Sequence, residues 1–230
     1  MPKVRKQTTV IIGEGPTEFF YLNSLKDEFR QLQSIKPDTP KNTSLRELER
    51  SIESAIAIGY DRIFCLIDMD NKKKDPTSWA AYSELKRKYH GKKVHNEKKG
   101  LNYEVRFFET DRCTELFFLY YFRYTGQNYA DSKSIEDELC RICGYEKTQR
   151  FFRTHPLHQY FQKKGGDWVR AIENALKSEK CLIDGERDYT YSEIGSMFKE
   201  LGIVRFCQYS MKCVRSSTPR HDGEKAWLSQ

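Results

Sequence analysis

Two continuous apolar runs, each ended by an acid, constrain this chain more than any other feature. Residues 8–13 read TTVIIG and residues 62–68 read RIFCLID. Short runs rich in β-branched and aromatic residues, closed by turn formers, belong to strands buried on both faces. A third segment, YEVRFFET at 103–110, alternates more weakly and predicts a strand near 103–109. Between the runs the period changes. Pro16 suits a first helical turn, and Phe19, Leu22, Leu25 and Phe29 follow at helical spacing. Ser44-Leu45-Arg46-Glu47 matches a capping box, Leu45, Leu48, Ile52 and Ile56 make one apolar stripe, and Gly59 closes the helix. Strands alternating with helices of this length predict βαβ units, hence an α/β fold with a parallel sheet flanked by helices. The proline-punctuated SIKPDTPKNT at 34–43 leaves room for one brief strand and a loop.

Beyond residue 113 the pattern is helical and aromatic, beginning with TELFFLYYFRY at 114–124. Several helices are predicted over 130–182, with Asp167 as the N-cap before WVRAIENAL. Ser192 is expected to cap a last helix, YSEIGSMFKEL, and IVRFCQY at 203–209 to return as a final strand. The expected organisation is a core over residues 1–125, a helical extension over 126–209 packed on it, and a frayed polar tail over 210–230.

At 38% apolar and 32% charged residues, a chain of 230 residues can bury a core. Its longest apolar runs, such as LFFLYYF at 116–122, are too short to span a bilayer. The opening residues MPKVRKQTT carry no secretory-type apolar stretch, so a cytoplasmic protein with no membrane partner is expected. Seven cysteines at irregular spacing do not make a secreted disulfide framework. Cys140 and Cys143 form one CxxC, best read as two cysteines on one helix face, because no second CxxC completes a zinc site. The five histidines, at 90, 95, 155, 158 and 221, show no metal spacing with the acids. His155 and His158 read as loop and cap residues. KKGGD at 163–167 lacks the spacing of a phosphate-binding loop and reads as a turn before a helix.

The net charge of +7 is concentrated: residues 71–100 hold ten Lys and Arg against three Asp and Glu. That surplus equals the whole chain's, so the remainder is neutral. A local cationic segment suits a polyanion such as nucleic acid, and equally a solvated lysine-rich helix and loop.

The acids at the strand ends carry the chemistry. Glu14 ends the first run, and Asp68-Met69-Asp70 ends the second. In an extended chain residues i and i+2 share a side, so Asp68 and Asp70 are expected to converge. Sites in parallel sheets lie at the carboxyl ends of strands. Three carboxylates at one edge repel, and a divalent cation relieves them; oxygen-only ligands favour Mg²⁺ or Mn²⁺ over zinc. Gly13 and Gly15 flank Glu14, and the expectation is that both glycines let the backbone turn sharply there. The same residues also suit an ordinary strand–helix turn with an acid at the helix N-terminus.

A Gly-Glu-Gly loop after the first strand, with Asp-x-Asp after a later one, resembles the Toprim domain of topoisomerases, primases and related nucleases. GEGPTEFFYLNSLK, SLRELERSIESA, YDRIFCLIDMDN and TDRCTELFFLYYF together resemble the RloB-like family of bacterial defence proteins over roughly residues 8–209. Where that family carries Ser-Asn-Pro-x-Phe-Glu-x-Trp, this chain reads Thr110-Asp111-Arg112-Cys113-Thr114-Glu115-Leu116-Phe117, keeping only the glutamate of the motif's marked positions.

The resemblance implies a Toprim-like catalytic core over 1–125. It implies Glu14 as general acid/base or metal ligand, Asp68 and Asp70 on Mg²⁺, Glu18 as a further acid of the loop, and Glu115 orienting a ligand or water. Lys72, Lys73, Lys74 and Arg112 stand near these acids as candidate phosphate clamps, with Lys92 and Lys93 extending the cationic segment. The activity implied is a metal-dependent nuclease of antiviral defence, acting on RNA (tRNA in particular) or DNA and controlled by a partner such as an ATPase. Tyr82, Tyr89 and Phe108 are candidate stacking faces for bases. The rival readings are a catalytically silent module of the same fold that binds nucleic acid or a partner, and a topoisomerase, which needs a further tyrosine domain.

Overall fold

The computed structural model describes residues 7–29, 32, 35–38, 44–96, 101–183 and 190–203. The expected last strand beyond residue 203, the tail, His221, and Lys98 and Lys99 of the cationic segment lie outside the described residues. The sheet is formed by β1 (Thr9–Ile12), β2 (Ile35–Asp38), β3 (Arg62–Asp68), β4 (Lys93–Asn96) and β5 (Leu101–Thr110), in the order β2-β1-β3-β5-β4. All neighbours are parallel except β4, which runs antiparallel to β5. The α/β sheet flanked by helices is thus as expected. The edge strand KVHN was not: it is short, polar and lysine-bearing, as exposed edges tend to be, and has no apolar signal.

Strand alternation divides the core. Ile63, Cys65 and Ile67 of β3 face one side with Val10, Ile12, Val105 and Phe107. There they meet α2 (Leu45–Ile58) and α3 (Pro76–Tyr89) through Leu48, Ile52, Tyr82 and Leu85. Ile11, Phe64, Leu66 and Phe108 face the other side and meet α1 (Pro16–Lys26) and the helices after β5. Both faces are covered, which is why β1 and β3 read as unbroken apolar runs. Ser44 Oγ accepts from Glu47 N, and Gly59 closes α2 in the left-handed conformation at φ 92°, as the sequence predicted.

After β5 come α4 (Glu115–Leu119), α5 (Ser132–Cys143), α6 (Gln149–Thr154), α7 (Leu157–Lys163), α8 (Trp168–Ile183) and α9 (Ile194–Glu200). Of the aromatic stretch at 114–124, whose pattern is helical, only α4 is helical, for five residues, before the chain turns. Leu116 to Tyr120 are completely enclosed, so no polar face exists to set a helical period. Asp167 accepts from Arg170 N at 3.0 Å, as an N-cap does. The cap of α9 is Glu193 rather than Ser192, which instead bridges Thr110 of β5 and tethers the helix to the sheet. Side chains of α5–α9 share one buried cluster with Ile11, Phe64 and Phe108. Among the described residues no helix is long and apolar enough to cross a membrane.

Candidate active site

The carboxyl ends of β1, β3 and β5 lie side by side, with Asp68 in register with Thr110. The three segments that leave them carry the acids. After β1, Glu18 folds back so that its Oε2 accepts from Gly15 N at 2.8 Å, closing the first turn of α1. Its side chain lies against Gly13, where an added Cβ would come 2.5 Å from Glu18 Cβ. Gly13 is therefore required by close approach. Gly15 is extended, at φ −158°, a conformation open to any residue, so the expected backbone role of both glycines holds for neither in that form.

Glu18 is 3% exposed, and burial, with the charge of Glu115 adding to it, pushes its carboxyl up to about 7. After β5, Thr114 donates to Asp68 Oδ1 from both its N (2.9 Å) and its hydroxyl (3.1 Å). The next residue, Glu115, is wholly buried. Its Oε1 accepts from Tyr145 at 2.9 Å and lies 3.1 Å from Lys147 Nζ, while Oε2 is enclosed without a hydrogen-bond partner. Burial raises Asp68 well above the usual range, and the charges of Glu18, Glu14 and Glu115 raise it further, against Lys147. Four carboxylates, from Glu14, Glu18, Asp68 and Glu115, thus act on one another at one edge of the sheet.

Lys72 is the cation among them. Its side chain is 7% exposed, and its Nζ meets Glu14 Oε1 at 2.5 Å and the Asp68 carbonyl at 2.9 Å. Burial nevertheless leaves Glu14 raised, with Lys72 opposing that rise. Lys72 is therefore an internal counterion rather than a solvated clamp.

Asp70 departs from the expected pairing. β3 ends at Asp68, and the chain turns at once: Asp70 N donates to the Arg112 carbonyl, and Lys72 N and Lys73 N donate to the Met69 carbonyl. The i and i+2 relation of a strand no longer applies. The Asp70 carboxylate accepts from Ser132 at 2.6 Å and lies 3.6 Å from Lys74, tying this turn to α5.

The other cations separate too. Lys73 pairs with Asp111 at 2.9 Å, and Lys74, with its side chain 61% exposed, lies 3.6 Å from Asp70. Arg112 spends its guanidinium on the Tyr129 carbonyl and Asn128, holding that loop, and is not free to clamp a phosphate. Lys92 and Lys93 lie at the opposite edge. Lys93 is in register with Glu104, six residues before Thr110 on β5, or about 20 Å along the strand. The cationic segment is contiguous in sequence and split in space, because α3 carries the chain from one edge of the sheet to the other.

Tyr82, Tyr89 and Phe108 are buried, so none offers a face to a base. Tyr82 donates to Glu109, which Lys86 also meets. His158 is a core residue, not a loop cap: its Nδ1 meets the Tyr121 hydroxyl at 2.9 Å and its Nε2 lies 2.8 Å from Glu28, and burial lowers its pKa. Cys140 and Cys143 are free thiols at the end of α5, one exposed and one buried. Sequence reasoning missed Thr114, Tyr145 and Lys147. Thr114 was within reach, adjoining Glu115 in the third motif; Lys147 arrives from a loop 32 residues further on with no local signal.

The donor set is made of hard oxygens with more negative than positive charge, and one buried Glu115 oxygen is unsatisfied. That chemistry fits Mg²⁺ or Mn²⁺. The present arrangement is not a closed cage: among the described residues no three His, Cys, Asp or Glu are grouped to hold a metal ion, and the Lys72 ammonium holds Glu14.

No curated protein and no solved structure matches the chain. A family model described as "RloB-like protein" matches residues 9–201, which span every described strand and all four carboxylates, and the chain therefore belongs to the RloB-like family.

Proposed function

We propose that this chain is a metal-dependent nuclease that cleaves a phosphodiester bond, a toxic effector of antiviral defence whose activity a partner such as an ATPase controls. The observation that carries the reading is the convergence of Glu14, Glu18, Asp68 and Glu115 at the carboxyl edge of the sheet, where burial raises Asp68 and the charges of the other three raise it further. Mg²⁺ or Mn²⁺ would require these carboxylates to regroup and Lys72 to leave Glu14; Asp68, Glu14 and Glu115 would then be the residues to hold the ion, which would polarise a phosphate and make a water more acidic. Thr114 orients Asp68 through two hydrogen bonds, and Tyr145 and Lys147 orient Glu115. Glu18, whose carboxyl burial pushes up to about 7, can give or take a proton beside them near neutral pH. Lys74 offers an exposed charge to the backbone of the nucleic acid.

We favour RNA, tRNA in particular, over DNA. Unpaired loop bases can be splayed out to reach a shallow site at a sheet edge. The test is incubation of the protein with labelled tRNA, single-stranded DNA and duplex DNA, with Mg²⁺, Mn²⁺ or chelator. Cuts that need metal and vanish in Asp68→Asn support the reading; cuts in DNA alone remove the RNA preference. The ion pair of Lys72 with Glu14 favours one rival, a catalytically silent module of the same fold. That module would bind nucleic acid in a salt-sensitive way and cut none of these substrates with either metal.

A further inference from the structure

Trp79 is the one aromatic ring among the described residues that is both largely exposed and close to the carboxylates. It is 47% exposed, whereas the other exposed large apolar side chains are Ile58 and Ile142. It lies in the first turn of α3, whose N-cap Asp75 follows the β3 carboxyl end by seven residues. Its ring is 6.2 Å from that of Tyr82, and the Lys72 ammonium stands 5.9 Å from the Tyr82 ring centre. Laid end to end, these distances keep Trp79 within about 12 Å of Lys72, the length of roughly three to four nucleotides of stacked strand. Lys73 and Lys74 lie in the turn between β3 and α3, paired with Asp111 and Asp70. Tyr82, tilted by 50° to the indole, is itself fixed by its hydrogen bond to Glu109.

An exposed indole can stack on an unpaired base, and nearby lysines can take the phosphates of the same strand. We propose that Trp79 is the stacking platform for one unpaired base of a single-stranded nucleic acid whose phosphates run over Lys73 and Lys74 toward the carboxylates. This assignment rests on the reading of the chain as acting on nucleic acid, and it names the strandedness of what is held. A duplex keeps its bases stacked inside and leaves the indole without a partner.

The test uses the full chain in chelator, so that binding is read without cleavage. Labelled oligouridylate, oligodeoxythymidylate and a duplex of equal length are titrated against wild type, Trp79→Ala, Trp79→Phe and Ile58→Ala. Trp79→Ala is expected to weaken single-strand binding about 5- to 100-fold, with Trp79→Phe within a few-fold of wild type. Ile58→Ala should change nothing, and circular dichroism and melting should show all variants folded, since both side chains are surface-exposed. The indole fluorescence quenched by oligouridylate should disappear in Trp79→Phe. Unchanged single-strand affinity in Trp79→Ala, tighter binding of the duplex, or no binding of any strand each overturns the proposal. Stacking without metal-dependent cleavage would leave this platform standing and remove the nuclease; cleavage with an indifferent Trp79 would do the reverse.

Discussion

Replacing Glu18 with Gln removes a buried charge and little else. The amide oxygen can still accept from Gly15 N, so the capping of α1 is kept. The magnitude follows from the carboxyl. In the unfolded chain it titrates at 4.5, and in the fold burial and the charge of Glu115 push it up to about 7. Below pH 4.5 both states are protonated and the acid costs nothing. Between about 4.5 and about 7 the unfolded state ionises and the folded state does not, so stability falls as pH rises; above about 7 the loss is constant. At 1.36 kcal/mol for each pH unit of the gap, the wild type loses about 3 kcal/mol that Glu18→Gln does not. Against a total stability of roughly 5–15 kcal/mol this is easily read. Urea unfolding from pH 4 to 8 in chelator, followed by fluorescence of the buried Trp168, should show the two proteins equal at pH 4 and the variant the more stable at pH 8. Saturating Mg²⁺ should narrow the difference at pH 8. A difference that stays flat with pH, or a variant less stable throughout, would refute the reasoning that an uncompensated charge is stored at this edge.

Lys72→Met leaves Glu14 buried without its counterion and should cost about 3 kcal/mol at pH 7, read as a lower urea midpoint. Gly13→Ala drives a methyl into Glu18 and should cost roughly 1–3 kcal/mol, whereas Gly15→Ala, whose Cβ would meet Glu18 Oε2 at 3.7 Å, should unfold within about 0.5 kcal/mol of wild type. Lys73→Ala with Lys74→Ala should flatten the salt dependence of single-strand binding by about 1.4 in log–log slope, as fewer counterions are released. Lys92→Ala with Lys93→Ala should leave that slope unchanged, because those side chains stand at the far edge of the sheet.

The sequence by itself determined the layers. TTVIIG and RIFCLID are apolar on both faces, and such a strand is stable only between two layers of helix, so a parallel, doubly covered sheet was legible. Ser44 and Gly59 marked the ends of α2 because caps act through neighbours in the chain. Glu14, Asp68 and Glu115 were legible as strand-end or helix-entry acids for the same reason. What lay beyond local reach was decided by packing. Whether Asp70 joined Asp68 depended on where β3 stopped pairing with β5, and the turn at Met69 carried Asp70 to Ser132 instead. Whether the lysines made one surface depended on α3 spanning the sheet, which parted Lys74 from Lys93. Lys147 and Tyr145 came to Glu115 from a loop with no pattern of its own. Periodicity and capping are properties of a few successive residues and can be read along the chain. The charge balance of a buried site depends on which distant segments the core draws together, and that balance exists only in the folded molecule.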